Sequence, residues 1–194
     1  MPLWTFVRHG QSEANRARRF AGHLDPALTD EGRAQARRAR ALLREVPHRR
    51  VLVSDLARAR QTARILLGDG AEVTVRRALR ERHCGVYEGR PYAEAEACGD
   101  MDRVFRRFRG RPEGGESLED VARRALAELL RWRDEGDLLV VCHGALIRAV
   151  VGVLDGLEDD WIGTYKPRNL EFVVRRVDHG MLARAAERLA VGRG

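Results

Sequence analysis

Two short apolar stretches of this chain end in the same way. Residues 3–7 run into Arg8-His9-Gly10, and residues 138–142 run into His143-Gly144. A strand that is apolar at successive positions is buried on both faces, as in a parallel sheet with helices on either side. Further strands are expected at residues 51–53, 72–75 and 169–176. Between them lie helical signals. Thr29 is expected to cap a helix over about 30–44, ended by Pro47. Ser54 is expected to cap another, with Leu56, Ala59, Ala63 and Leu67 on one face. Met101, Val104, Phe105 and Phe108 suit a short amphipathic helix. Ser117 with Asp120 forms a capping-box pattern before a helix carrying Val121, Ala122, Ala125 and Leu129. A nearly all-apolar helix follows Gly144, residues 178–180 read as a turn, and the final segment fits helix or strand. Strands alternating with helices predict a layered α/β fold with a mainly parallel sheet.

In such a sheet, ligands bind beyond the carboxyl ends of the strands. The repeated strand-His-Gly pattern therefore predicts that His9 and His143 share one sheet edge, where helix N-termini favour an anion. Arg58 lies in the first turn after the strand at 51–53, and its planar fork suits phosphate oxygens. Gly10 is expected to admit an anion close to the backbone, and Asn15 to return an amide to it. Glu81 supplies a carboxylate from a loop.

The chain's 194 residues suit one domain. A net charge of +7 suits an anionic substrate. Nucleic acid is not expected as a partner, because the excess is scattered arginine without interleaved aromatics, with Lys166 as the only lysine. No run is long and apolar enough for a membrane span and no signal peptide is recognised. The odd cysteine count, Cys84, Cys98 and Cys142, predicts a reducing, cytoplasmic setting without disulfides. His83-Cys84 and Cys142-His143 lack zinc-ligand spacing, so no metal site is expected. Self-association is left open.

Taken together, these segments resemble the histidine phosphatase superfamily, the branch-one group that includes cofactor-dependent phosphoglycerate mutases and fructose-2,6-bisphosphatases. The resemblance rests on RHGxxxxN at residues 8–15, Phe20-Ala21-Gly22, SxLxRAxQTA at 54–63, LRExxxGxxEG at 79–89, Gly114-Gly115-Glu116-Ser117 and CHGxxIR at 142–148. It implies a phosphoglycerate mutase-like three-layer α/β/α sandwich, formed by a single domain over residues 1–194 with a small helical cap near 90–116. It further implies His9 as nucleophile, Arg8, Arg58 and His143 around the phosphate oxygens, and Glu81 as general acid and then base. Asn15, Gly22, Arg82 and Gly144 are expected to bind substrate or phosphate, with Arg82 read equally well as a surface residue. His23 is expected in a loop, His83 as a flanking structural or specificity residue, and His48 and His179 in solvent. No cofactor is required.

Three activities fit this resemblance. The first is phosphomonoester hydrolysis on a small phosphorylated metabolite. The second is a mutase reaction, favoured by Glu81-Arg82-His83 before Gly85 but opposed by the short cap, about 25 residues between Gly89 and Gly115, and by Cys84 where a tyrosine is expected. The third is a non-catalytic binding module.

Overall fold

The strands that deliver His9 and His143 are nearest neighbours. In a computed structural model, which describes residues 1–191, β1 (Leu3–Arg8) pairs in parallel with the strand Leu138–Cys142, and the register places Arg8 opposite Cys142. The next residue of each chain is a histidine, and the His9 amide donates to the Cys142 carbonyl at 3.0 Å.

After β1 come α1 (Glu13–Arg16), α2 (Asp30–Leu43), β2 (Arg50–Ser54), α3 (Ala57–Leu67) and β3 (Thr74–Arg76). Next are α4 (Tyr92–Ala97), α5 (Leu118–Leu129), β4 (Leu138–Cys142), α6 (Gly144–Leu154), α7 (Asp159–Thr164), β5 (Phe172–Arg176) and α8 (His179–Val191). The sheet order is β3-β2-β4-β1-β5, parallel except for β5, which runs antiparallel to β1 at the edge.

Strand side chains alternate between two cores. Trp4, Phe6, Leu138, Val140 and Cys142 pack against α5, α6 and α8. Val7, Val51, Val53, Leu139 and Val141 pack against α2 and α3. That gives the expected α/β/α sandwich. A third, smaller cluster of Phe20, Tyr87, Ala95 and Phe105 carries the cap.

Several local expectations change. Ser54 does not cap the second helix: α3 begins at Ala57, and the Ala57 amide is capped from a distant loop by Asp25 Oδ1 at 2.6 Å. The buried face of α3 includes Leu66, whereas Leu67 is only partly covered. The short amphipathic helix expected over residues 101–108 is only a π-helical turn at Met101–Phe105, preceded by an unexpected α4 and separated from it at Gly99, whose φ of +78° suits glycine. Phe108 leaves the cap and joins the main core. Residues 178–180 open α8 rather than a free turn, because Asp178 Oδ1 accepts from the Met181 amide at 2.7 Å. The ambiguous final segment is thus helical, with Ala185 and Leu189 buried.

Candidate active site

His9 is buried at the carboxyl end of β1. Its Nδ1 lies 2.7 Å from the Gly10 carbonyl oxygen, an acceptor only, so Nδ1 carries the proton and Nε2 keeps its lone pair. The amide of Asn169 donates to the His9 carbonyl at 2.7 Å, and Thr62 Oγ1 accepts from the Gly10 amide at 3.1 Å. The backbone on both sides of the ring is therefore fixed. Burial, then the Arg58 and Arg8 charges, hold the His9 pKa well below the usual imidazole range. The ring is neutral at physiological pH.

The His143 ring stands 5.1 Å from that of His9, nearly edge-on. Its Nε2 is 2.8 Å from Ser54 Oγ. The Leu56 amide donates to the same Oγ at 3.4 Å, and the hydroxyl retains both a proton and a second lone pair with which to meet His143 Nε2. His143 Nδ1 is buried and has no hydrogen-bond partner among the described residues. Burial, followed by the Arg58 charge and His9, also depresses the His143 pKa strongly. Ser54 was expected as a helix cap; its actual partner lies 89 residues away on a neighbouring strand.

Arg58 is buried, with its guanidinium donating to the carbonyls of Gly22 and Leu24 at 2.9 and 2.8 Å. Gly22 has φ +50°, and a Cβ there would meet Glu88 Oε1 at 2.0 Å, so the turn that holds Arg58 requires glycine. Arg8 donates to the Pro167 carbonyl at 2.7 Å, while its buried Nε has no partner among the described residues. Glu81 Oε1 accepts from the amides of Arg82 and Ala145 at 2.8 and 3.1 Å. Gly144 and Ala145 open α6, so its N-terminus points at the same space. Asn15 sits in a capping box with Ser12 and also lines the cavity.

Most of these residues line one cavity of about 460 Å³, whereas His143 is fully buried beside His9 and is not part of its lining. Arg8, His9, Asn15, Gly22, Arg58, Glu81 and Gly144 all line it. Arg82 also reaches its wall, but it is neither a surface residue nor a free phosphate donor. It is buried, and its guanidinium donates to the carbonyls of Glu116 and Gly110 at 2.6 and 2.8 Å, with two longer contacts to Val104 and Phe105. Gly10, expected to admit an anion, instead lets the backbone pack against Gly32, whose carbonyl would lie 2.5 Å from a Cβ.

Sequence reasoning missed Ser54, Asn169 and Arg148 as parts of this site. Arg148 stands one helical turn after Gly144 and lines the cavity. Burial lowers its pKa to about 10, and it donates to Gly163 and Phe105 carbonyls at 2.7 and 3.2 Å, tying α6 to the cap. Its helical spacing from Gly144 was the available signal. His48 and His179 are exposed, whereas His23 and His83 are half-buried and face one another beside the Glu81 loop.

The sequence profile of the histidine phosphatase superfamily (branch 1) matches residues 4–185. The chain belongs to that superfamily. It is 39% identical over 174 residues to 2,3-bisphosphoglycerate-dependent phosphoglycerate mutase 2 of Gloeobacter violaceus, covering 84% of this chain and 80% of the relative. It is also 39% identical over 170 residues to the glucosyl-3-phosphoglycerate phosphatase of Mycolicibacterium vanbaalenii, covering 80% and 75%. Among solved structures, a mycobacterial glucosyl-3-phosphoglycerate phosphatase in complex with VO3 superposes with a TM-score of 0.79 at 32% identity, covering 90% of this chain and 92% of that one. The superfamily's relatives of this kind are phosphatases and mutases, and the α/β sandwich is theirs.

Proposed function

We propose that this histidine phosphatase superfamily member hydrolyses phosphomonoesters of small metabolites through a phosphohistidine on His9, without a metal ion. The observation that carries the reading is the His9 ring itself: neutral, with Nδ1 tied to the Gly10 carbonyl and Nε2 left free on a cavity lined by arginines.

In the first step Nε2 attacks phosphorus in line. The N–P bond forms as the P–O bond to the leaving alkoxide breaks, and Glu81 delivers its proton to that oxygen. Arg8, Arg58 and His143 offset the charge on the non-bridging oxygens. In the second step water attacks phosphorus, the Glu81 carboxylate takes the proton, and the N–P bond breaks to release phosphate and neutral His9. The side-chain cations supply the charge stabilisation that a metal ion otherwise provides.

Hydrolysis is favoured over phosphoryl return to a second substrate by the state of the cap. Three of its arginines pair with acids, Arg106 with Asp102, Arg107 with Asp160 and Arg109 with Glu119, and of these Arg106 alone lines the cavity. The mutase reaction keeps support from the similarity to a bisphosphoglycerate-dependent mutase. The cavity mouth also includes Arg18 and Lys166, neither of which has an ion-pair partner among the described residues, and they suit a substrate with a second negative group.

Brief mixing with labelled substrate and an alkaline quench tests the proposal, since a phosphoramidate survives base. Label is expected on His9 and absent in His9→Ala; turnover with no protein label would reject it. Activity is expected to persist in excess chelator and to be blocked by vanadate. A panel including 3-phosphoglycerate, with free phosphate and isomerised product both measured, separates hydrolase from mutase.

A further inference from the structure

The Glu81 loop has no ladder to hold it. It runs between a 3-10 turn at Arg77–Leu79 and another at Gly85–Tyr87, so its carbonyls depend on partners from elsewhere. One side chain of α5 serves those of Arg80 and Glu81, and that of Ala78 in the first turn. Arg124 Nη1 donates to the carbonyls of Ala78 and Arg80 at 2.7 and 2.9 Å, and Nη2 to the Glu81 carbonyl at 2.9 Å. Its Nε and Nη2 also donate to the Glu116 carboxylate at 2.7 and 2.9 Å. The five N–H groups of a guanidinium are thus all engaged, three on the loop and two on the brace.

We propose that Arg124, braced by Glu116, is a positioning residue that sets the Glu81 carboxyl at the distance proton transfer requires. The proposal rests on the reading of Glu81 as the proton donor. Glu81 is held from two sides: α5 grips its main chain through Arg124, and the start of α6 grips its carboxylate through the Ala145 amide. His23 Nε2 adds a second donor to the Glu81 carbonyl at 2.9 Å, and Glu116 Oε2 accepts from the His83 amide at 2.9 Å, extending the brace past the loop. Both helices pack on the same core, so the two grips are referenced to one rigid body. Glu81 is the carboxylate of this loop that lines the cavity, and the guanidinium directly fixes its own peptide. A proton donor works over a heavy-atom separation of about 2.6–3.2 Å. A displacement of about 1 Å is enough to cost on the order of a hundredfold in rate. Lysine has three donors on a single nitrogen and cannot span the same carbonyls and carboxylate together.

The test is the leaving-group dependence of turnover, which a merely structural residue would not move. Phosphate release is measured from 3-phosphoglycerate, or whichever alkyl phosphate of the panel turns over fastest, and from p-nitrophenyl phosphate, whose leaving group needs no proton. Arg124→Lys is expected to lower kcat on the alkyl ester at least about tenfold more than on the nitrophenyl ester, with little change in KM. In the Glu81→Gln background that extra loss should vanish, because the group being positioned is gone. Arg123→Gln, a neighbour that pairs with Glu119 on the same helix, should keep the wild-type ratio. Should Arg124→Lys fail to fold, Glu116→Gln reads the same ratio with the guanidinium still present. Equal losses on both esters, or full additivity with Glu81→Gln, would overturn the positioning role. If Glu81→Gln itself shows no leaving-group dependence, the reading of Glu81 falls and this proposal falls with it.

Discussion

At the residue scale, the site is built from groups held by specific partners. The Gly10 carbonyl sets the tautomer of His9, and Ser54 Oγ holds His143 Nε2. Ser54→Ala removes the hydrogen-bond partner that orients His143 through Nε2. Turnover should fall by about tenfold or more through kcat, as for the loss of an oriented transition-state donor. Ser54→Thr, which restores a hydroxyl, should recover most of it. Steady-state kinetics on one substrate decides the matter, and a wild-type kcat for Ser54→Ala would show that the Ser54 contact to His143 is irrelevant. Neither role was legible from local spacing, since Ser54 follows a strand and precedes a helix as any capping serine does.

At the scale of elements, α5 carries both stability and the Arg124 grip. Its start is a reciprocal capping box: Ser117 Oγ accepts from the Asp120 amide at 3.1 Å, and Asp120 Oδ2 accepts from the Ser117 amide at 2.8 Å. Ser117 is buried, so Ser117→Ala is expected to cost about 1 kcal/mol of stability. A thermal or urea unfolding curve would register it as a lower midpoint. This box was readable in the sequence because it is contained within four residues. The cap of α3 was not, because Asp25 reaches the Ala57 amide from another loop. The cap region failed for a related reason. Its apolar residues follow a helical period, but Gly99 ends α4 and Phe108 answers to the main core instead.

For the whole molecule, two buried imidazoles couple stability to pH. His9 and His143 both have folded-state pKa values well below the ordinary 6.5, mainly through burial. The unfolded chain therefore binds protons that the folded one refuses. Their contribution is fully present above about pH 6.5 and is lost as pH falls from there through the folded-state pKa values. The unfolding midpoint should drop across that acid window, and His143→Gln should flatten the drop. An unchanged slope in that variant would mean that other groups dominate. On the proposed mechanism activity follows the same sign: protonating His9 would remove the attacking lone pair, and its depressed pKa should carry turnover well below pH 6.5 before the acid limb begins.

By itself, the sequence determined the strand-helix alternation, the two histidines at one sheet edge and the family. Those are encoded in short-range patterns: apolar runs, a cap within four residues, and His-Gly at the end of a strand. The tertiary structure alone decided what each polar group is attached to. Arg82, an even reading between substrate and surface, is buried and bound to backbone carbonyls; Arg124, one of many scattered arginines, grips the Glu81 loop. A guanidinium's role depends on which carbonyls and carboxylates converge on it from distant segments. That convergence is a property of the folded chain, and no local pattern around an arginine records it.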